Sequence, residues 1–189
     1  MNNYNPNIHH RKSIRLKGYD YSRAGLYFIT ICVKDRECLF GEIVDGKMIL
    51  NDAGKLVENE WLNIIVRFPN VQLHQHIVMP NHFHTIMEIT VGATLVVAHD
   101  NIVAHDNKRA TTRVAPTKTV GDIVGAFQSI VTVEYIRGVK NHCWKSFNGK
   151  LWQRNYYEHI IRDEKSYHRI SEYIINNPKN WKEDGFFND

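Results

Sequence analysis

Two imidazoles stand at i and i+2 in "MPNHFH", His82 and His84, at the entrance to an apolar run. If that run is extended, both rings point to the same side, because side chains alternate across a strand. A rigid element that offers two nitrogen ligands in one direction supplies half of a metal site. A third ligand and a reactive group must then come from elsewhere. Tyr173 and Asn177 are four residues apart in a helical pattern near the end of the chain. On a helix they share a face, which sets a phenol beside an amide oxygen, a nucleophile beside a ligand. The same spacings also fit plain structural roles, in which the histidines are satisfied polar groups, Tyr173 packs with Ile170 and Ile174, and Asn177 closes the helix. Nor does spacing select the tyrosine. Tyr167 lies four residues after Asp163, Tyr156 and Tyr157 fall on a strand, and Tyr135 has Val139, which binds no metal, at i+4.

The elements that must position these groups are readable from periodicity. "LYFITICV" reads as a buried strand, and "FGEIVDGKMIL" as a hairpin turning at Asp45-Gly46. From Asn51, the residues Ala53, Leu56, Val57, Trp61, Ile64, Ile65 and Phe68 keep the helical period until Pro69. "VQLHQHIVM" and "HFHTIMEI" read as antiparallel neighbours joined through "PN". In the second, His82, His84, Ile86 and Glu88 share one face, with Phe83, Thr85, Met87 and Ile89 on the other. Thr119 and Asp122 form a capping box for an amphipathic helix expected to end near Gly138. A strand around "RNYYEHII" and a helix from Asp163 that stops before Pro178 complete the pattern. Strands with three helices predict an α+β fold with a mainly antiparallel sheet.

The chain has 189 residues, 43% of them hydrophobic, which predicts one domain over 1–189. Residues 1–23 carry Arg11, Lys12, Arg15, Lys17 and Arg23 against the single acid Asp20, so this arm holds the whole formal excess of +4. Cations interleaved with His9, His10, Tyr19 and Tyr21 suit a polyanion with stackable bases, and a solvated tail would look the same. Residues 91–117 hold the tandem "VVAHDN" and "IVAHDN", read as a variable loop insertion that arose by duplication, so His99 and His105 need no metal role. Cys32, Cys38 and Cys143 show no Cys-x-x-Cys spacing and are expected to be buried small hydrophobes. No apolar run is long enough for a membrane span and the polar start has no secretory pattern, which predicts a cytoplasmic protein.

The stretches "HHRKSIRLKGYDYSRAGLYFITICVKDRECLFGEI", "VMPNHFHTIMEI", "GDIVGAFQSIVTVEYIRGVK", "GKLWQRNYYEHIIRDE" and "YIINNPKNW" resemble, in order, the REP-associated tyrosine transposases, a branch of the single-tyrosine HUH endonucleases. The resemblance implies a ferredoxin-like HUH domain. It implies that His82 and His84, flanking the bulky Phe83, bind metal, that Tyr173 is the nucleophile, and that Asn177 stands where related enzymes carry a Gln or Asn ligand.

On that resemblance the expected activity is DNA transposition, by nicking and strand transfer of single-stranded DNA at hairpin-forming REP-like sequences through a covalent 5′-phosphotyrosine. Mn²⁺ suits imidazole and amide donors, and Mg²⁺ suits a site completed by phosphate and water. Arg11, Lys12, Arg15 and Lys17 are the expected DNA contacts, and Glu172 and His168 the candidate bases. With one nucleophile per chain, either a monomer acting sequentially or a homodimer would serve. Two alternatives stand beside this: a domesticated protein that grips structured single-stranded DNA without cutting it, and a metal-dependent hydrolase in which the histidines activate water.

Overall fold

β-Branched and aromatic residues fill both sides of the first strand, β1 (Gly25–Cys32), which sends Tyr27, Ile29 and Ile31 into one interior and Phe28 into another. The computed structural model describes residues 16, 18–90 and 118–187. The 91–117 segment and the arm cations Arg11, Lys12, Arg15 and Lys17 lie outside the described residues. After β1 comes the hairpin of β2 (Gly41–Val44) and β3 (Lys47–Leu50). Its turn is at the expected Asp45-Gly46, both with positive φ, as a two-residue turn between right-twisted strands requires.

Asn51 caps α1 (Asp52–Leu62) by accepting from the Gly54 N–H at 2.9 Å. The single helix expected as far as Phe68 is broken at Asn63, beyond which α2 (Ile64–Arg67) is a separate turn. The break keeps Ile64 and Phe68 buried and leaves Leu62, Ile65 and Val66 exposed, so apolar period alone overcounted this helix's buried stripe. β4 (Val71–Val78) and β5 (His82–Ile89) pair antiparallel as expected, with a register shift between Leu73 and His76. α3 (Val120–His142) starts from the reciprocal Thr119/Asp122 capping box. It runs past Gly138 to a left-handed cap at Cys143. Gly138 is there for packing rather than termination, because a Cβ would fall inside the indole ring of Trp144. β6 (Tyr157–Ile161) and α4 (Glu164–Asn176), capped by Asp163, close the set.

The main sheet has the order β4-β5-β1-β6, with every neighbouring pair antiparallel. One face, with Tyr27, Ile29, Phe83 and Met87, packs on α1 and α3, where Trp61 meets the rings of Phe83 and Phe127 edge-on. The other face packs Phe28, Ile86 and Ile161 against Ile170 and Ile174 of α4. This is the α+β architecture, with a mainly antiparallel central sheet, that the sequence predicts. All three cysteines are free, and only Cys32 is buried, contrary to the expectation for Cys38 and Cys143. Among the described residues no helix is long and apolar enough to cross a membrane.

Candidate functional site

β5 lies between β4 and β1, so its alternation places His82 and His84 on the α4 side of the sheet, with Phe83 on the other. The turn before β5 is pinned by the segment after β1. Pro80 O accepts from Leu39 N and Phe40 N, and Asn81 O accepts from Val33 N. His82 and His84 are 0% and 1% exposed, with ring centroids 4.4 Å apart.

Each ring is oriented through Nδ1. Asn81 Nδ2 donates to Arg36 O and Phe186 O, which turns its Oδ1 toward His82 Nδ1 at 2.9 Å. His82 therefore donates from Nδ1 and keeps a lone pair on Nε2, a buried atom with no hydrogen-bond partner. His84 Nδ1 lies 2.8 Å from Thr30 Oγ1, a hydroxyl able to accept its proton. Burial holds both imidazoles neutral. His82 is pushed down to about 3, by desolvation first and the Arg36 charge second. His84 is held well below its ordinary range by desolvation and by His82, against an opposing pull from Asp184.

α4 brings the tyrosine to this pair. The Tyr173 hydroxyl is 3.3 Å from His84 Nε2, and it donates to Asp184 Oδ2 at 3.4 Å. Its side chain is 43% exposed, the property expected of a group that meets a substrate. Desolvation and the Asp184 charge push the phenol up to about 12, partly offset by the hydrogen bond from Asn177. Of the rival tyrosines, Tyr167 bonds His74 at 3.2 Å, Tyr135 donates to Lys145 O, and Tyr157 meets Phe28 rather than the histidines.

Asn177 ends α4 and is 1% exposed. Its Nδ2 donates to Asp184 Oδ2 at 2.7 Å, which leaves Oδ1 buried without a partner. Asp184 is the residue that sequence reasoning missed. It follows the turn Trp181–Glu183, and its Oδ1 accepts from Phe186 N. The ring of Phe186 lies 4.6 Å from that of His82, and Arg36 Nη1 donates to Gly185 O, so the C-terminal segment is folded over the site. Of the candidate bases, His168 faces Glu164, and Glu172 lines the groove between β6 and α4.

His82, His84 and Asp184 each offer a ligand atom within 4.8 Å of the others, a set that can hold a metal ion. The donor chemistry fits a divalent cation. Two neutral imidazoles and one carboxylate converge there, and His82 Nε2 and Oδ1 of the neighbouring Asn177 are buried polar atoms left without a partner.

No family model matches the chain. The chain is 44% identical over 189 residues to an uncharacterized protein of Haemophilus influenzae, covering 98% of both, so the two belong to one family. It is 24% identical over 167 residues to a protein of Haemophilus influenzae named REP-associated tyrosine transposase, covering 84% of this chain and 73% of that one. The solved structure of a REP-associated tyrosine transposase bound to a REP hairpin matches its fold with a TM-score of 0.52 at 15% identity, over 92% of this chain and 76% of that one. The chain is similar in sequence to a REP-associated tyrosine transposase and shares the fold of another. The candidate chemistry of this chain lies on the face between β5 and α4, where the structure brings His84, Tyr173 and Asn177 together beside His82. The four arm cations lie outside the described residues.

Proposed function

We propose that the chain nicks single-stranded DNA and rejoins it through a covalent bond to Tyr173, at hairpin-forming sequences of the kind held by the solved relative. The observation that carries this reading is the exposed phenol 3.3 Å from the buried His84 Nε2, on the same face as His82. In the forward step Tyr173 Oη attacks the scissile phosphorus. The P–O3′ bond breaks, the departing 3′ oxygen takes a proton, and a 5′-phosphotyrosine remains on the protein. The phenol proton passes to Asp184 Oδ2, the carboxylate oxygen it already addresses at 3.4 Å. In the reverse direction a 3′-OH attacks the phosphotyrosine and restores the phenol, so the energy of the broken bond is kept.

A free phenol, with pKa about 10, lies roughly 4 kcal/mol from ionisation at pH 7, and the raised value of Tyr173 widens the gap. A divalent cation, Mg²⁺ or Mn²⁺, held by His82, His84, Asp184 and Asn177 would supply Lewis-acid charge at the scissile phosphate. The residues themselves do the rest. Asn81 and Thr30 fix the imidazoles, Asp184 holds the Asn177 amide, and Phe186 and Trp181 shield His82 from water. Arg11, Lys12, Arg15 and Lys17 are proposed to hold the DNA backbone.

The test is a denaturing gel of the protein with 3′-labelled hairpin oligonucleotides and Mg²⁺ or Mn²⁺, with Tyr173→Phe in parallel. Label retained on the wild-type band and absent from the variant is the expected result. Cleavage that survives Tyr173→Phe would mean hydrolysis, and binding without cleavage would mean a hairpin-binding module.

A further inference from the structure

β6 is an edge strand, with β1 on one side only, and its alternation gives it two different faces. Glu158 is buried, while Tyr157 and His159 are exposed on the α4 side together with the buried Ile161. Tyr157 is paired with Thr30, the residue that bonds His84, so it stands beside the candidate site. Its ring is 6.2 Å from Phe28, and the Phe28 ring is in turn 6.2 Å from Tyr173. A cavity of about 800 Å³ opens between the end of β6 and α4, reaching from Arg162 and Lys165 past Arg169 to Glu172, the neighbour of Tyr173. The side chains of Arg162, Lys165 and Arg169 make no hydrogen bond or ion pair among the described residues. Of the acids on the same wall, Asp163 caps α4 by accepting from Ser166 N at 2.7 Å, and only Glu172 stands free of the helix start.

We propose that this groove is the track on which single-stranded DNA approaches Tyr173, with bases stacked on Tyr157 and His159 and phosphates against Arg162, Lys165 and Arg169. The inference rests on the covalent nicking reading for its direction, and it adds a binding surface distinct from the N-terminal arm. Rings on alternate residues of a strand are about 7 Å apart, and aromatics on a sheet surface stack successive bases of a single strand. A duplex keeps its bases stacked on one another and cannot offer them to these rings. The unpaired cations on the facing helix and just before it follow the backbone without reading sequence, which is how single-strand grooves gain affinity.

The test is fluorescence anisotropy with a fluorescein-labelled oligothymidine, which forms no hairpin, in EDTA so that cleavage plays no part. Tyr157→Ala should weaken binding about tenfold, and Tyr157→Phe should not, because stacking needs the ring and not the hydroxyl. Arg162→Ala with Arg169→Ala should reduce the slope of log affinity against log salt by about 1.4, two phosphates at about 0.7 each. Unchanged affinity in Tyr157→Ala, or an unchanged salt slope in the double variant, overturns the proposal. So does an equal loss of affinity for a blunt duplex. The covalent adduct is scored separately on wild-type protein. A wild type that forms the adduct while the groove variants bind normally overturns the track alone, and a wild type that binds through the groove without an adduct overturns only the nicking reading.

Discussion

At the scale of single residues, the site is a set of groups that burial holds in particular protonation states. Folded His82 and His84 stay neutral far below the ordinary imidazole range, whereas the unfolded chain protonates them near about 6.5. The unfolded state therefore binds more protons in acid. Stability from the neutral pair is complete above about pH 6.5 and is lost as pH falls toward about 3, where His82 itself protonates in the fold. The Tm of the metal-free protein should drop as pH is lowered from 7 to 4, and a shallower drop in His82→Asn, measured by thermal melts across pH, would check the assignment. Desolvation raises the Tyr173 phenol most, and Asp184 raises it further by its charge and by accepting its hydrogen bond. Asp184→Asn should bring that phenol back toward about 10, read as the ultraviolet titration step that disappears in Tyr173→Phe. An unmoved step would mean that Asp184 is not coupled to the tyrosine in solution. The missed Asp184 also shows the limit of spacing. It lies seven residues beyond Asn177, outside the helix whose period made Tyr173 and Asn177 legible.

At the scale of elements, hydrophobic period and caps carried most of the information. The capping box of α3, the Asp45-Gly46 turn and the two faces of β5 were all local patterns, and each is set by steric or hydrogen-bonding rules acting within a few residues. The errors came where a neighbour intervened. Gly138 looks like a helix stop in isolation, but Trp144 needs the space, and α3 continues. Helix propensity alone predicts that Gly138→Ala stabilises by about 1 kcal/mol. The collision with the indole predicts instead a loss of about 1–3 kcal/mol, which urea denaturation would decide. Thr119→Ala should cost about 1 kcal/mol in the same assay, because it removes one half of the box and leaves Asp122 N–H without its side-chain acceptor.

At the scale of the whole molecule, the sheet separates two tasks. Its α1 and α3 face holds the larger core, and its α4 face holds a smaller apolar cluster flanked by the polar site. Phe83 stands between the two histidines in sequence yet belongs to the opposite interior, against Trp61 and Phe127. Phe83→Ala should cost about 3–5 kcal/mol in global stability, measured by denaturant unfolding, where the change of a surface residue would not. The arm is the other whole-molecule question. Replacing Arg11, Lys12, Arg15 and Lys17 by Ala is expected to flatten the salt dependence of hairpin binding by about 0.7 for each phosphate no longer neutralised, and an unchanged slope in a binding titration would remove the arm from the interface.

The sequence by itself determined the alternation that turns His82 and His84 to one side, the helical repeat that sets Tyr173 and Asn177 on one face, and the apolar stripes that bury each element. These follow from backbone geometry, with periods of two and 3.6, and need no partner. Only the tertiary structure decided which tyrosine meets the histidines, because helix α4 could present Tyr167 or Tyr173 and its docking against the sheet chose Tyr173. It also decided that a carboxylate from the C-terminal turn joins them. That contact spans 100 residues from His84 to Asp184, and chain segments so far apart are brought together by packing, which leaves no local pattern to read.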